Sequence, residues 1–288
     1  MVRTRSSQIK ASIIVPTYKE NENLRSLTKR LFQAIASSSY SHWVELIVVD
    51  DNSNDGSAET VAELQKEGYN VRIVVRTTER GLSSAVVRGF QESQGEYLVC
   101  MDADLQVCQP LFFPVFLHLK NGVDWSQHPP ECIPALLALL DDSSFVQATR
   151  YHPSSRTNEN WPLYRKIISE GARVLARPLT SVSDPMSGLF GIKKEYFLKA
   201  KDMNPLGFKI ALDLLVKSNI PFRAIAEFPF DFGVRQEGES KLTGKVMLRY
   251  LEQLAELYFW KFGYSLILFL LVILVLVMFL LAKIAGFM

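Results

Sequence analysis

A short apolar run that ends in two carboxylates constrains the fold of this chain more than any other feature. Tyr97–Met101 has the length and hydrophobicity of a buried β-strand, and Asp102 and Asp104 follow it. A buried strand of a parallel sheet delivers the residues after it to the carboxyl edge, where ligands bind. No His or Cys lies near these two carboxylates at the spacing of metal ligands. Carboxylates alone favour Mg²⁺ or Mn²⁺, bound to the phosphates of a nucleotide, over Zn²⁺. Alone, however, an Asp-x-Asp pair more often belongs to a solvated loop.

Strand and helix patterns alternate through the first half of the chain. Short runs rich in β-branched residues predict strands at Ala11–Val15, Val44–Val49, Val71–Val75 and Phe145–Thr149. Helical patterns follow the first three of these strands. Asn21 or Asn23 is expected to cap the first helix and Ser57 the second, and the third opens at Gly81 with small residues. The alternation predicts a doubly wound α/β sheet.

Three loops that carry acidic residues follow predicted strands, at Pro16–Glu20, Asp50–Asp51 and Asp102–Gln106. Ordinary loops after strands are also rich in Pro and Asp, but three acidic loops at one edge indicate a nucleotide and metal site. Neither G-x-x-x-x-G-K-[ST] nor G-x-G-x-x-G occurs. We therefore expect a metal ion and cationic side chains to neutralise the negative charge of the phosphates.

The C-terminal region is strongly apolar, since no charged residue occurs between Lys261 and Lys283. A helix over 263–283 would be about 31 Å long at about 1.5 Å per residue, which matches a hydrocarbon core of about 30 Å. We therefore expect a transmembrane helix. Lys245, Arg249 and Lys261 outnumber the single Lys283, which places the N-terminal part in the cytosol.

The segments that flank the α/β region are also assigned from the pattern of polarity. Residues 1–10 are polar and basic, and this composition predicts a disordered N-terminus. The segment does not resemble a signal peptide. Residues 244–262 fit an amphipathic helix at the membrane interface, or equally one packed on the sheet. The net charge of +2 indicates no nucleic-acid partner.

Six motifs resemble the inverting GT-A glycosyltransferases of family 2, and within them the dolichol-phosphate mannosyltransferase family. They are Ile14–Glu20, Val48–Gly56, Gly81–Ala85, Met101–Gln106, Asp184–Gly188 and Phe232–Leu242. The resemblance covers nearly the whole chain and implies a GT-A catalytic domain at 11–243. It implies transfer of mannose from GDP-mannose to dolichyl phosphate with inversion, giving dolichyl β-D-mannosyl phosphate for glycosylation and GPI-anchor synthesis.

The single apolar C-terminal segment resembles the one-component form of the family. This implies a single-pass protein of the endoplasmic reticulum membrane whose catalytic domain faces the cytosol, and no obligatory protein subunit. The lipid bilayer is then a partner, and Mg²⁺ or Mn²⁺ is the expected cofactor.

The resemblance also implies roles for individual residues. The nucleoside half of the donor would contact Pro16, Tyr18, Glu20, Val49 and Asp51. The metal and diphosphate would contact Asp102, Ala103, Asp104 and Gln106, with the metal on Asp102, Asp104 and Gln106. The cations around the diphosphate and the incoming phosphate would be Arg150, Arg235 and Lys241, which with Asp104 form the expected catalytic set. Dolichyl phosphate would contact Arg165 and Ser169. Arg165 could instead contact a lipid headgroup or be a solvated surface residue.

Other functions remain open at this stage. A dolichyl-phosphate β-glucosyltransferase that uses UDP-glucose would share the fold, but its relatives carry an N-terminal span. A processive synthase would show several spans and a Gln-x-x-Arg-Trp motif. A non-catalytic protein could keep the fold with a broken site. Asp213 also stands where the family pattern has Glu.

Residues 107–127 interrupt the family pattern, because Gln106 would otherwise lead directly into His128–Glu131. This insertion of 21 residues is apolar without a steady period and contains two prolines. We interpret it as a retained intron translated in frame. This interpretation predicts that residues 107–127 pack poorly, and the protein that carries them could be an inactive isoform. A membrane-touching loop specific to the lineage is the competing interpretation.

Overall fold

The computed structural model describes residues 9–103, 129–151, 163–204, 209–229 and 244–284. It divides into two compact units, Met1–Lys241 and Leu242–Met288. The insertion at 107–127 lies outside the described residues, so its predicted disorder stays a prediction.

The first unit is built on a seven-stranded sheet in the order β3-β2-β1-β4-β6-β5-β7. The strands are β1 Ala11–Thr17, β2 Val44–Asp50, β3 Val71–Val75, β4 Tyr97–Cys100, β5 Phe145–Thr149, β6 Phe190–Lys193 and β7 Ile225–Pro229. β1 pairs in parallel with β2 and β4, β2 with β3, and β5 with β7. The five strands predicted from sequence are confirmed to within two residues.

The sheet is mixed, because β6 runs antiparallel to both β4 and β5. Hydrophobic periodicity reports that a strand is buried and says nothing of its direction. The direction of β6 depends on the path of the chain between β5 and β6, which local sequence does not specify.

Helices cover both faces of the sheet. They are α1 Asn21–Ala36, α2 Ser57–Lys66, α3 Leu82–Glu92, α4 Pro129–Asp142, α5 Leu163–Ala176, α6 Lys194–Lys199 and α7 Ile210–Lys217, with a 3₁₀ turn at Phe222–Ala224. One core cluster packs α1, α2 and α4 against side chains such as Ile13 and Val15 of β1. The other packs α3, α6 and α7 against the alternate residues, including Ile14, and contains the stacked pair Phe145 and Phe190. This is the layered arrangement expected of an α/β fold.

The predicted caps of α1 and α2 are wrong, because Asn21, Asn23 and Ser57 all lie inside the helices. The N-caps are Glu20 and Gly56, neither with a side-chain cap hydrogen bond. Asn21 donates its backbone N–H to Asp55 Oδ2 at 3.1 Å, and Ser57 donates its hydroxyl to Asp55 Oδ1 at 2.7 Å. Asp55 thereby joins the starts of both helices.

The second unit contains α8 Gly244–Phe262 and α9 Tyr264–Ile284. Large apolar side chains such as Leu268 and Leu276 of α9 are more than 60% exposed. In the portion of the chain that is described, no helix combines the length and the hydrophobicity needed to cross a bilayer. The predicted transmembrane helix at 263–283 is therefore not confirmed.

Candidate active site

The loops after β1, β2 and β4 meet at the carboxyl edge of the sheet. Thr17 at the end of β1 pairs with Asp50 at the end of β2, and Asp51 donates its backbone N–H to Thr17 O at 3.0 Å. Met101, just after β4, donates to Ile14 O of β1 at 3.0 Å. Parallel pairing thus brings together three loops that are distant in sequence.

Asp51 is held in place by Arg76, which follows β3. The Arg76 guanidinium donates Nε–H to Asp51 Oδ1 at 2.8 Å, and Gly81 donates its backbone N–H to Asp51 Oδ2 at 2.8 Å. Arg76 also donates to Ser84 Oγ at 2.8 Å and is only 6% exposed. Arg76 was not predicted from the sequence, where it is marked only as a cation directly after a strand. Because Nε and Nη2 of Arg76 both donate to Oδ1 and Gly81 donates to Oδ2, both oxygens are held and the orientation of the carboxylate is fixed.

The other residues expected to bind the nucleoside differ in accessibility. Tyr18 is 43% exposed, and the guanidinium carbon of Arg80 lies 5.9 Å from its ring centroid. Glu20 accepts a hydrogen bond from Asn23 Nδ2 at 2.8 Å, and Pro16 is partly buried. Val49 is completely buried, so its side chain faces the core and not the edge.

Asp102 is exposed at this edge and packs tightly against Gly188. A Cβ added at Gly188 would lie 2.6 Å from Asp102 Oδ2, so the absence of a side chain leaves room for the carboxylate. An exposed hard oxygen donor fits Mg²⁺ or Mn²⁺. Ala103 is buried, while Asp104 and Gln106 lie outside the described residues. Within the described ranges no group of three or more His, Cys, Asp or Glu side chains could hold a metal.

Arg150 stands at the end of β5 and forms a two-point ion pair with Asp184. Its Nε–H donates to Oδ2 at 2.6 Å and its Nη2–H to Oδ1 at 2.9 Å, while Asp184 is 0% exposed. Burial alone would lower the pKa of Arg150, but the hydrogen bonds and charge of Asp184 outweigh it and raise that pKa. Arg150 is therefore a permanently charged cation in a fixed orientation. The sequence analysis quoted the motif of Asp184 without giving this residue a role.

Lys209, just before α7, is a further cation that the sequence analysis missed. Its Nζ donates to Met186 O at 2.8 Å, in the same loop as Asp184 and Gly188. Burial, with the charge of Arg150, lowers the pKa of Lys209 to about 8, although Asp102 and Asp184 act in the opposite direction. Lys209 therefore lies within electrostatic range of Arg150, Asp102 and Asp184. In the sequence, Lys209 is marked only by its position as a single lysine at the start of an apolar helix.

The residues expected to bind the acceptor lie on α5. Arg165 and Ser169 are four residues apart and so share one face of the helix, although the side chain of Arg165 is not among those described. The hydroxyls of Ser169 and Tyr151 are 3.2 Å apart. Arg235 and Lys241 lie outside the described residues.

Asp213, which departs from the family pattern, lies in a buried ion pair. Its carboxylate is 3.1 Å from Lys217 Nζ, and both side chains are 0% exposed. Asp213 Oδ2 also accepts the backbone N–H of Asn204 at 3.1 Å. Asp213 thus ties α7 to the preceding loop.

Comparison with known proteins identifies the class that the fold and this site define. Residues 12–123 match the family described as Glycosyl transferase family 2. A solved structure of glucosyl-3-phosphoglycerate synthase from Mycobacterium tuberculosis, in complex with Mn²⁺, UDP and glucosyl-3-phosphoglycerate, aligns with a TM-score of 0.56. The alignment covers 88% of this chain and 80% of that one at 18% identity, which supports the GT-A fold and nothing finer.

Relatives of higher sequence identity identify one family within this class. A dolichol-phosphate mannosyltransferase of Mycosarcoma maydis is 56% identical over 93% of this chain and 86% of its own length. One of Saccharomyces cerevisiae is 52% identical over 88% of this chain and 89% of its own length. The chain belongs to the dolichol-phosphate mannosyltransferase family.

Proposed function

We propose that this enzyme transfers mannose from GDP-mannose to dolichyl phosphate with inversion, giving dolichyl β-D-mannosyl phosphate. The observation that carries the proposal is the charge arrangement at the carboxyl edge. Asp102 is exposed beside Gly188, and the loop of Gly188 also anchors Arg150 through Asp184 and Lys209 through Met186 O. A site that combines an oxygen donor for a metal with oriented cations suits the joining of two anionic reactants.

The chemistry of the acceptor explains why such a site needs no general base. A phosphate monoester has a second pKa of about 6 and is mostly dianionic near neutral pH. It can attack the sugar carbon directly, and one in-line displacement inverts the configuration. The protein then has to hold both reactants in line and to suppress their mutual repulsion.

The proposed roles of individual residues are those that the family resemblance implies. Mg²⁺ or Mn²⁺ at Asp102, Asp104 and Gln106 would neutralise charge on the leaving diphosphate. Arg150, Arg235 and Lys241 would bind the diphosphate and the incoming phosphate, and Ala103 would border the metal site. The proposed nucleoside contacts are Pro16, Tyr18, Glu20, Asp51 and the backbone of Val49. The proposed contacts to dolichyl phosphate are Arg165 and Ser169.

The proposed acceptor is a lipid, so the proposal includes attachment to a membrane through α9. We propose the endoplasmic reticulum membrane, with the catalytic unit on the cytosolic side and no obligatory protein subunit. The absence of charge between Lys261 and Lys283 and the exposed apolar side chains of α9 support this attachment.

A transfer assay with two donors tests the proposed function. Membranes that contain the chain are supplied with dolichyl phosphate, a divalent metal, and either labelled GDP-mannose or labelled UDP-glucose. We expect transfer from GDP-mannose, and its loss in Asp104→Ala with the fold retained. The control is Asp142→Ala, which removes an exposed carboxylate at the end of α4. Transfer from UDP-glucose alone would overturn the proposed donor.

A further inference from the structure

Tyr151 connects the end of β5 to α5 through both its ring and its hydroxyl. The guanidinium carbon of Arg173 on α5 lies 4.6 Å from the ring centroid, and that of Arg150 lies 5.8 Å from it. The Tyr151 hydroxyl is 3.2 Å from Ser169 Oγ. Because Ser169 and Arg173 are four residues apart, one face of α5 makes both contacts. The residue next to Arg150 therefore touches the helix face that carries Ser169.

The backbone of Tyr151 is anchored by a chain of hydrogen bonds that reaches β7. Tyr151 donates its backbone N–H to Thr149 Oγ1 at 3.1 Å, and Thr149 Oγ1 is 2.5 Å from Ser183 Oγ. Ser183 in turn donates its hydroxyl to Glu227 Oε1 at 2.8 Å. A residue anchored in this way presents its side chain in a defined direction.

The two cations near the ring are themselves fixed by carboxylates. Arg173 donates Nε–H to Glu170 Oε2 at 2.9 Å, and Arg150 is paired with Asp184. A guanidinium over an aromatic face is attracted by the ring quadrupole. The ring of Tyr151 therefore contacts both a cation of the candidate active site and a cation on α5.

The hydroxyl pair has a consequence for anion binding. Each hydroxyl has a single proton to donate, and a phosphate oxygen can only accept. If the Tyr151 hydroxyl donates to Ser169 Oγ, the proton of Ser169 is directed away from Tyr151 and toward a phosphate. Tyr151 would then set the direction in which Ser169 donates.

We propose that Tyr151 is a positioning residue for the acceptor phosphate, which acts by orienting Ser169 and by keeping α5 in register with Arg150. The inference rests on the proposed function, since it takes the anion at Ser169 to be a polyprenyl phosphate. It assigns to Tyr151 an effect on the acceptor and not on the nucleotide.

The test separates the two substrates in Tyr151→Phe, which keeps the ring and removes the hydroxyl. We expect the KM for dolichyl phosphate to rise about 2- to 10-fold, the range for one hydrogen bond, while the KM for GDP-mannose is unchanged. Tyr151→Leu also removes the ring contact of Arg150, and we expect kcat to fall as well. The matched control is Tyr196→Phe on α6, which removes the hydroxyl of another tyrosine, one whose ring lies under Lys199 at 4.4 Å.

A double-mutant cycle with Ser169→Ala tests the route through Ser169. We expect Tyr151→Phe to have no further effect on the acceptor KM once Ser169 is alanine, because the two changes remove one interaction. Additive effects, an unchanged acceptor KM, or equal shifts for both substrates would each overturn the inference. A merely structural role would instead lower the thermal stability and affect both substrates.

Binding of a short-chain polyprenyl phosphate in detergent, without any donor, distinguishes this inference from the proposed function. Weaker binding by Tyr151→Phe than by wild type supports the inference even if the donor proves not to be GDP-mannose. If wild type binds the polyprenyl phosphate but transfers no mannose, only the donor assignment fails. If wild type binds no polyprenyl phosphate, the inference is overturned with the acceptor assignment.

Discussion

Gly188 packs so closely against Asp102 that a Cβ at position 188 would lie 2.6 Å from Asp102 Oδ2 and 3.1 Å from Oδ1. The atoms that would have to move are the terminal atoms of a side chain and not backbone. A methyl group at this position should therefore displace the carboxylate while leaving the fold intact. The same contact links the loop that contains Asp184 and Gly188 to Asp102, which is an expected metal ligand.

We predict that Gly188→Ala raises the concentration of Mg²⁺ or Mn²⁺ needed for half-maximal transfer by about 10-fold or more, since a metal contact shifted by a few tenths of an ångström loses ideal geometry. The measurement is a metal titration of transfer, with thermal unfolding as the check on folding. Gly171→Ala is the control, because no atom lies within 4 Å of a Cβ added there. Equal metal requirements for both variants would contradict the packing argument.

We predict a pH-dependent stability difference between wild type and Lys209→Met in metal-free protein. The pKa of Lys209 is lowered from 10.5 to about 8 by burial and by Arg150. Between these two values the unfolded chain keeps a proton that the folded chain has lost, so stability rises with pH. The stability of wild type relative to the variant should rise by up to about 1.4 kcal/mol per pH unit in this window.

Urea unfolding in EDTA from pH 7 to 10.5 measures this difference. Lys199→Met is the matched control, because it removes a lysine whose side chain is 58% exposed. A difference between wild type and Lys209→Met that does not change with pH would show that Lys209 keeps an ordinary pKa in the folded protein.

We predict that deletion of 107–127 raises transfer activity, because it joins Gln106 directly to His128 as in the family pattern. The measurement is the specific activity of the deleted and full chains, together with sequencing of the mature transcript. If every message carries the insertion and the deletion lowers activity, the retained-intron hypothesis is wrong and a functional loop is the better interpretation.

We predict that truncation after Lys261 releases the protein from membranes without loss of donor binding. The deleted part contains α9, and the nucleotide crevice belongs to the other unit. Fractionation after a carbonate wash measures attachment, and titration with GDP-mannose measures binding, with the full chain as control. A folded, truncated protein that no longer binds GDP-mannose would contradict this division of roles.

Local sequence was sufficient for five of the seven strands and for the convergence of three loops at one edge. Apolar runs such as Val44–Val49 report burial, and the residues after parallel strands must lie at the same edge whatever the details of packing. It was insufficient for the caps, because Asn21 and Ser57 are the first residues of their helices, and Asp55 holds Asn21 across a tertiary contact and Ser57 locally. It was insufficient also for β6, whose antiparallel direction depends on a long connection.

The sequence by itself therefore determined the α/β class, the acidic carboxyl edge and, through its motifs, the family. Only the tertiary structure decided which charges act together. Arg76 meets Asp51, Arg150 meets Asp184, and the ring of Tyr151 meets Arg173, yet in each case the partners come from separate elements of the chain. Such pairs depend on distances of a few ångströms between elements, and those distances are set by the packing of the whole core, which no local pattern records.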